Sequence, residues 1–201
     1  MPPTAHRVLT PLAVLGALVA AVATADEQPG ARPMLVSEAS LPKGFPAPGT
    51  VGEVIVKTYP AHRLARATVG KDSDNAMFMK LFNHIKRNDI AMTSPVQMDG
   101  SRESMAFLYA TSDLGTPGVD PKDPAVVVED IPETTVVSVG LRGSYSKATA
   151  EKGIRQLREW LATNPEWKEA GPPRTLGYNS PFVPNFLKYS EVQIPITRPQ
   201  P

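Results

Sequence analysis

One pattern occurs twice in this chain, and it constrains the fold more than any other feature. Val54-Ile55-Val56-Lys57-Thr58-Tyr59-Pro60 leads into Leu64-Ala65-Arg66-Ala67-Thr68-Val69, and a helical stretch follows. Val126-Val127-Val128-Glu129-Asp130-Ile131-Pro132 leads into Val136-Val137-Ser138-Val139-Gly140-Leu141, again with a helix behind it. The offset is 72 residues throughout, from Val54 to Val126, Pro60 to Pro132 and Leu64 to Val136. In each copy a β-branched run reads as a strand, a proline sits where a ladder N–H would be lost, and a second alternating run follows. Identity is low: over 54–71 only Val54, Val56 and Pro60 recur. Polarity and period are what repeat, as a duplicated unit requires if each copy builds half of one sheet.

The helical stretches keep the offset. The first covers about residues 73–88, with Phe78, Leu81, Phe82 and Ile85 at i, i+3, i+4 and i+7. Asp72 or Ser73 can cap its start, and Lys86 and Arg87 sit in its last turn, where they favour the dipole. The second covers about 146–163, with Ala150, Ile154, Leu157 and Leu161 on one face. Phe78, Phe82 and Ile85 fall on Ala150, Ile154 and Leu157, while Leu81 falls on Gly153. After the first helix, runs at 96–98 and 105–109 flank an Asp99-Gly100 turn. After the second, runs at 175–178 and 191–196 flank a loop carrying Pro181 and Pro184. Each half is therefore strand-strand-helix-strand-strand. Two halves give an α+β domain of about eight antiparallel strands and two helices, its far face free to close into a barrel-like groove.

The N-terminus stands apart. Residues 12–22 are apolar, with Arg7 before them and Ala23-Thr24-Ala25 after. That pattern predicts a cleaved export signal over residues 1–25, too short in its apolar centre for a permanent span; an uncleaved anchor is the alternative. Export predicts a periplasmic or secreted protein with no stable membrane span after cleavage. Residues 26–50 hold five prolines and three glycines and read as a linker ahead of a domain at 51–197. Another Pro/Gly-rich stretch, 115–124, separates the halves. Losing Arg7 takes the formal charge from +1 to 0, and a neutral chain without a basic stripe is not built for nucleic acid. The absence of cysteine excludes disulfides, thiol nucleophiles and thiolate metal sites.

Ile90-Ala91-Met92-Thr93-Ser94-Pro95-Val96, directly after the first helix, resembles the signature of the SOUL haem-binding family. Leu176-Gly177-Tyr178-Asn179-Ser180-Pro181-Phe182, with Glu191-Val192 entering the last strand, resembles that family's C-terminal signature. The opening Val54-x-Val56-Lys57-Thr58-Tyr59 is similar to its first strand. The resemblance covers about residues 51–196. It implies a distorted eight-stranded antiparallel barrel with two helices, related to gyrase-inhibitor-like effector-binding domains. It also implies a tetrapyrrole ligand, usually haem, in a surface groove beside the first helix.

Little else in the chain carries chemistry. No nucleophile elbow, P-loop, H-E-x-x-H or dinucleotide fingerprint occurs, and only His62 and His84 follow the signal. His84 flanks the apolar stripe, where it could supply an axial imidazole to haem iron; the alternative is an exposed helix histidine. Where some haem-binding members carry histidine before the first-strand tyrosine, this chain has Thr58. Lys86 and Arg87 match basic residues at the end of the family's first helix, where a propionate could pair, and they also compensate the dipole. Met77, Phe78 and Leu81 complete the candidate porphyrin contacts, Met77 and Met79 being equally suited to a core. Met92, Thr93 and Pro95 read as structural, turning the chain from helix into strand. The leading expectation is an exported, non-catalytic porphyrin binder. A small-molecule hydrolase on an effector-binding fold is the alternative, with Glu191 and Tyr178 its candidate pair. A plain interaction module is the third.

Overall fold

The computed structural model describes residues 39–68 and 73–199. The expected signal, the first part of the expected linker, Val69 and Asp72 lie outside those residues. The elements run β1 (Val54–Tyr59), β2 (His62–Thr68), α1 (Asp74–Arg87), β3 (Val96–Asp99), β4 (Ser104–Leu108), β5 (Gly118–Asp120), β6 (Asp123–Ile131), β7 (Thr134–Arg142), α2 (Lys147–Thr163), β8 (Lys168–Glu169), β9 (Arg174–Gly177) and β10 (Tyr189–Thr197). All strand pairs are antiparallel, in the order β1-β7-β10-β9-β3-β4-β2-β6-β5, and β8 pairs with β10 off that path.

This order is the duplication expressed in hydrogen bonds. Exchange β1, β2, β3 and β4 with β6, β7, β9 and β10, leave aside β5, and the list reads the same backwards. The register agrees. Val54 faces Val139 across β1 and β7, and 72 residues on, Val126 faces Ala67 across β6 and β2. Tyr59 faces Thr134, and Ile131 faces His62 in the same relation. Each half thus lends its first strand to the other half's sheet, and neither half is complete alone. Eight of the ten strands are those expected; β5 and β8 are short additions. The path ends at β1 and β5, and among the described residues no ladder joins these ends into a barrel.

Both helices cover one face of the sheet, α1 over β2, β4 and β6, and α2 over β7 and β10. Ser73 caps α1, its Oγ accepting the Ala76 N–H at 3.4 Å, and Ser146 caps α2 through the Thr149 N–H at 3.2 Å. The buried stripe of α1 is Met77, Leu81, His84 and Ile85, rotated from the expected Phe78, Leu81, Phe82 and Ile85. Phe82, at the edge of the apolar arc, is left outside the buried stripe. On α2 a β-carbon at Gly153 would lie 2.6 Å from Val192. Gly153 is therefore where α2 presses closest to β10, which explains why the repeat places glycine opposite Leu81.

The other face is covered by residues 39–51, most of which the sequence reads as linker. Pro42, Pro46 and Pro48 cannot donate to a ladder, yet the segment is bound. Lys43 N–H donates to Ala110 O and Ser94 N–H to Ser40 O, at 2.9 and 3.0 Å. Leu41 and Phe45 pack against the cluster of Val51, Tyr59, Val136, Leu176, Tyr178 and Tyr189. The domain is thus a sheet between two helices and a strap.

Candidate functional site

The family resemblance implies a ligand beside the first helix, and the outer face of α1 carries a row of side chains there. Phe78, Phe82 and Lys86 lie at i, i+4 and i+8 and so form one row about 12 Å long. The rings of Phe78 and Phe82 are stacked, centroids 6.2 Å apart and planes 11° apart. Phe78 is anchored below by an edge contact of 5.0 Å with Phe107. Phe82 is 38% exposed and its neighbour Met79 44%. Lys86 is exposed at the end of the row. An apolar shelf with a cation at one end suits the face and carboxylate edge of a porphyrin.

The remaining candidates point elsewhere. Met77 and Leu81 are buried in the core cluster beneath α1. His84 is also buried, between Asp120 of β5 and Tyr109 just after β4. Its Nδ1 is hydrogen-bonded to Asp120 Oδ2 at 2.5 Å, and its Nε2 to the Tyr109 hydroxyl at 2.7 Å. With both ring nitrogens engaged, an axial bond from His84 would require breaking one of these. Arg87 donates to the same Asp120 oxygen at 2.7 Å, while the Lys122 N–H reaches Oδ1 at 2.8 Å. Burial pushes the Asp120 carboxyl up, but the bonds from His84, Lys122 and Arg87 outweigh it and hold the group at about 2. Burial pushes Tyr109 up to about 12. The cluster ties α1 to β4 and β5, and the sequence hides it because Asp120 sits in a Pro/Gly-rich stretch that reads as a crossover.

The sheet face beneath the strap holds a second polar centre. Strand alternation sends Val192, Ile194 and Ile196 to α2 and Glu191 and Gln193 to the strap side. The Glu191 carboxylate is 0% exposed. Its Oε1 accepts from Lys57 Nζ and Gly49 N–H, both at 2.6 Å, and from Tyr189 at 3.1 Å. Its Oε2 accepts from Gln193 Nε2 at 3.0 Å, Ser138 at 3.1 Å, Tyr178 at 3.3 Å and Tyr59 at 3.4 Å. Burial raises this acid, but Lys57 and the hydrogen bonds more than cancel that and hold it below its ordinary value. The surrounding Tyr59, Tyr178 and Tyr189 hydroxyls are raised, by burial first and then by the Glu191 charge. Arg174 lies over the Tyr59 ring at 5.3 Å and donates to Gln193 Oε1 at 3.0 Å. The sequence points to Glu191 and Tyr178 alone. The polar pairs Lys57-x-Tyr59 and Glu191-x-Gln193, on strands otherwise rich in apolar residues, were the signal for the rest.

The signature segments join these layers. Thr93 Oγ1 donates to Leu108 O at 2.6 Å, and Ser94 Oγ to Tyr178 O at 3.2 Å, so the Met-Thr-x-Pro-Val turn pins β4 and the end of β9 together. Asn179 Oδ1 accepts the Tyr189 N–H at 2.5 Å across the β9–β10 loop.

Solved structures share this architecture at low identity. A hydrolase from Listeria innocua superposes with a TM-score of 0.54 at 12% identity, over 74% of this chain and 94% of its own. The C-terminal domain of EcmrR superposes at 0.51 with 17% identity, over 73% and 98%. Against EcmrR in its complex with DNA the score is 0.52 at 17% identity, and the match spans 73% of this chain but only 58% of the other. Such identities establish the fold alone. No curated protein matches the chain. The model of the family described as "SOUL heme-binding protein" matches residues 50–195, which takes in both signature segments and every strand but the last two residues of β10. On that match, the chain is a member of the SOUL haem-binding protein family.

Proposed function

We propose that this chain is an exported, non-catalytic tetrapyrrole-binding protein that holds its porphyrin on the outer face of α1. The observation that carries the reading is the stacked Phe78–Phe82 pair, half-buried at Phe78, exposed at Phe82 and ending at Lys86. Family membership supports the ligand class, and the shelf supports its position. Porphyrin burial supplies the favourable energy at ~25 cal/mol per Å2 of apolar area. Lys86 pairs a propionate at a solvated rim and contributes modestly. Arg87, still 39% exposed at its side chain, can assist while keeping its bond to Asp120. His84 is occupied by Asp120 and Tyr109 and serves the position of α1, so the reading places no bond from it to iron. Met77 and Leu81 shape the shelf from beneath.

The hydrolase alternative would use Glu191 and Tyr178. Both are buried under the strap, and Glu191 is saturated with donors, an arrangement suited to a structural anion.

Haem titration followed at the Soret band tests the reading. The unmutated protein should give a saturable shift. Phe82→Ala with Lys86→Ala leaves the buried contacts of α1 intact and should weaken binding about ten- to a hundredfold. No saturable shift would end the tetrapyrrole reading, and unchanged affinity in the double variant would move the site off α1.

A further inference from the structure

Few side chains of this chain can bind an iron ion, and the fold removes most of them from the outer face of α1. The sequence has no cysteine. Both histidines among the described residues are buried. His84 has each ring nitrogen bonded, one to Asp120 and one to Tyr109. His62 is bonded to Pro60 O at 2.7 Å and packs edge-on against Phe45 of the strap. Four of the five tyrosines are buried, and the hydroxyl of the fifth, Tyr145, accepts the Asn179 N–H at 2.7 Å. After Asp74 at its start, α1 carries no carboxylate.

Methionine is what remains. Met77, Met98 and Met105 are buried in the cluster beneath α1, and Met92 packs against it. Among the described methionines only Met79 is exposed. At 100° per residue, it faces away from the buried stripe of Met77, Leu81, His84 and Ile85. It stands at i, i+3 to Phe82, which puts their β-carbons about 5–6 Å apart. It precedes Lys86 by seven residues, about 10 Å along the axis, with Phe82 between them. The propionates of a porphyrin extend a comparable distance from its iron. A ring that pairs one propionate with Lys86 and covers Phe82 therefore brings its metal to the turn of Met79. The thioether is neutral and has no proton to lose, so it enters an apolar contact without the desolvation cost of an ion. Its unbranched stem has three rotatable bonds and can turn the sulfur toward the ring.

We propose that Met79 is the axial ligand to the iron of a haem bound on α1, its thioether sulfur donating a lone pair to the metal. The inference rests on the porphyrin reading above and adds an iron-specific contact to it. A soft, neutral sulfur donor favours the ferrous ion and raises the reduction potential of the bound haem.

Met79→Leu keeps the apolar volume and removes the sulfur. Haemin and metal-free protoporphyrin are titrated into the full-length protein and into this variant. The variant should bind haemin about tenfold more weakly and protoporphyrin unchanged, because only the iron loses a bond. Iron-edge X-ray absorption of the haemin complex should show a sulfur scatterer on the metal, absent in Met79→Leu. The reduction potential of the bound haem should fall in the same variant. Met79→His should recover the lost haemin affinity and give the visible spectrum of imidazole ligation, since position 79 faces the iron. Saturable haemin binding without a sulfur scatterer would overturn the ligand and leave the porphyrin site standing. So would equal losses for haemin and protoporphyrin, which would make Met79 a packing contact. If neither haemin nor protoporphyrin binds the unmutated protein saturably, the porphyrin reading fails and the ligand with it.

Discussion

Replacing Lys57 with Met removes the one cation bonded to a carboxylate that has no contact with water. The side-chain stem is kept, so the volume change is small and the experiment reads electrostatics. Glu191 loses a 2.6 Å ion pair but keeps Gly49 N–H, Ser138, Gln193 and three tyrosine hydroxyls. Removing one partner of a buried pair costs about 3–5 kcal/mol, because the other charge stays behind. The remaining donors put this case near the lower end, at about 3 kcal/mol. Against a domain stability of about 5–15 kcal/mol that loss is large. The pH dependence supplies a sign. In the unmutated protein the Glu191 acid lies below its ordinary value, so its contribution is present above pH 4.5 and is lost as pH falls through the folded value. Without Lys57, burial dominates and the acid rises above the unfolded value. The variant should therefore regain stability between pH 7 and pH 5, where the acid takes up a proton in the fold. Urea unfolding followed by circular dichroism at both pH values measures this. Lys57→Met with Glu191→Gln should recover most of the loss. A cost under about 1 kcal/mol at pH 7, or a double variant no more stable than Lys57→Met, would refute the reasoning.

Gly153→Ala puts a methyl group 2.6 Å from Val192 and should cost about 1–3 kcal/mol, with Val192→Ala restoring part of it; thermal melts of the three variants check this. Asp120→Asn should destabilise the protein at neutral pH and flatten its acid unfolding. The Asp120 carboxyl is depressed from 3.8 to about 2, so its contribution is present above pH 3.8 and lost as pH falls through about 2. A pH titration of ellipticity on both proteins would detect the difference.

The sheet was legible because its signals are periodic and local. The β-branched runs and the proline at a fixed offset depend only on neighbouring residues, and the 72-residue repeat carried through to the ladder register. The rotation of α1 was not legible, because Met77 and Phe82 are equally apolar and only the sheet decides which is covered. The strap was hidden by its prolines, which announce a broken ladder but say nothing about where Leu41 and Phe45 will bury. The partners of His84 were hidden for a different reason. Asp120 and Tyr109 lie 36 and 25 residues away, and only the chain path brings them onto one ring. Lysine and glutamate on the two strands that flank β7 were visible as exceptions to an apolar pattern, yet their meeting across 134 residues was not.

The position of a bound porphyrin is the most direct test. Paramagnetic haemin added to the isotopically labelled protein broadens amide resonances near its iron, so an NMR titration reads the position directly. We expect saturable broadening of the amides of Met79, Phe82, Asn83 and Lys86, with those of residues 147–163 on α2 unaffected. Broadening centred on residues 40–50 or 178–189, with the amides of α1 sharp, would contradict the account.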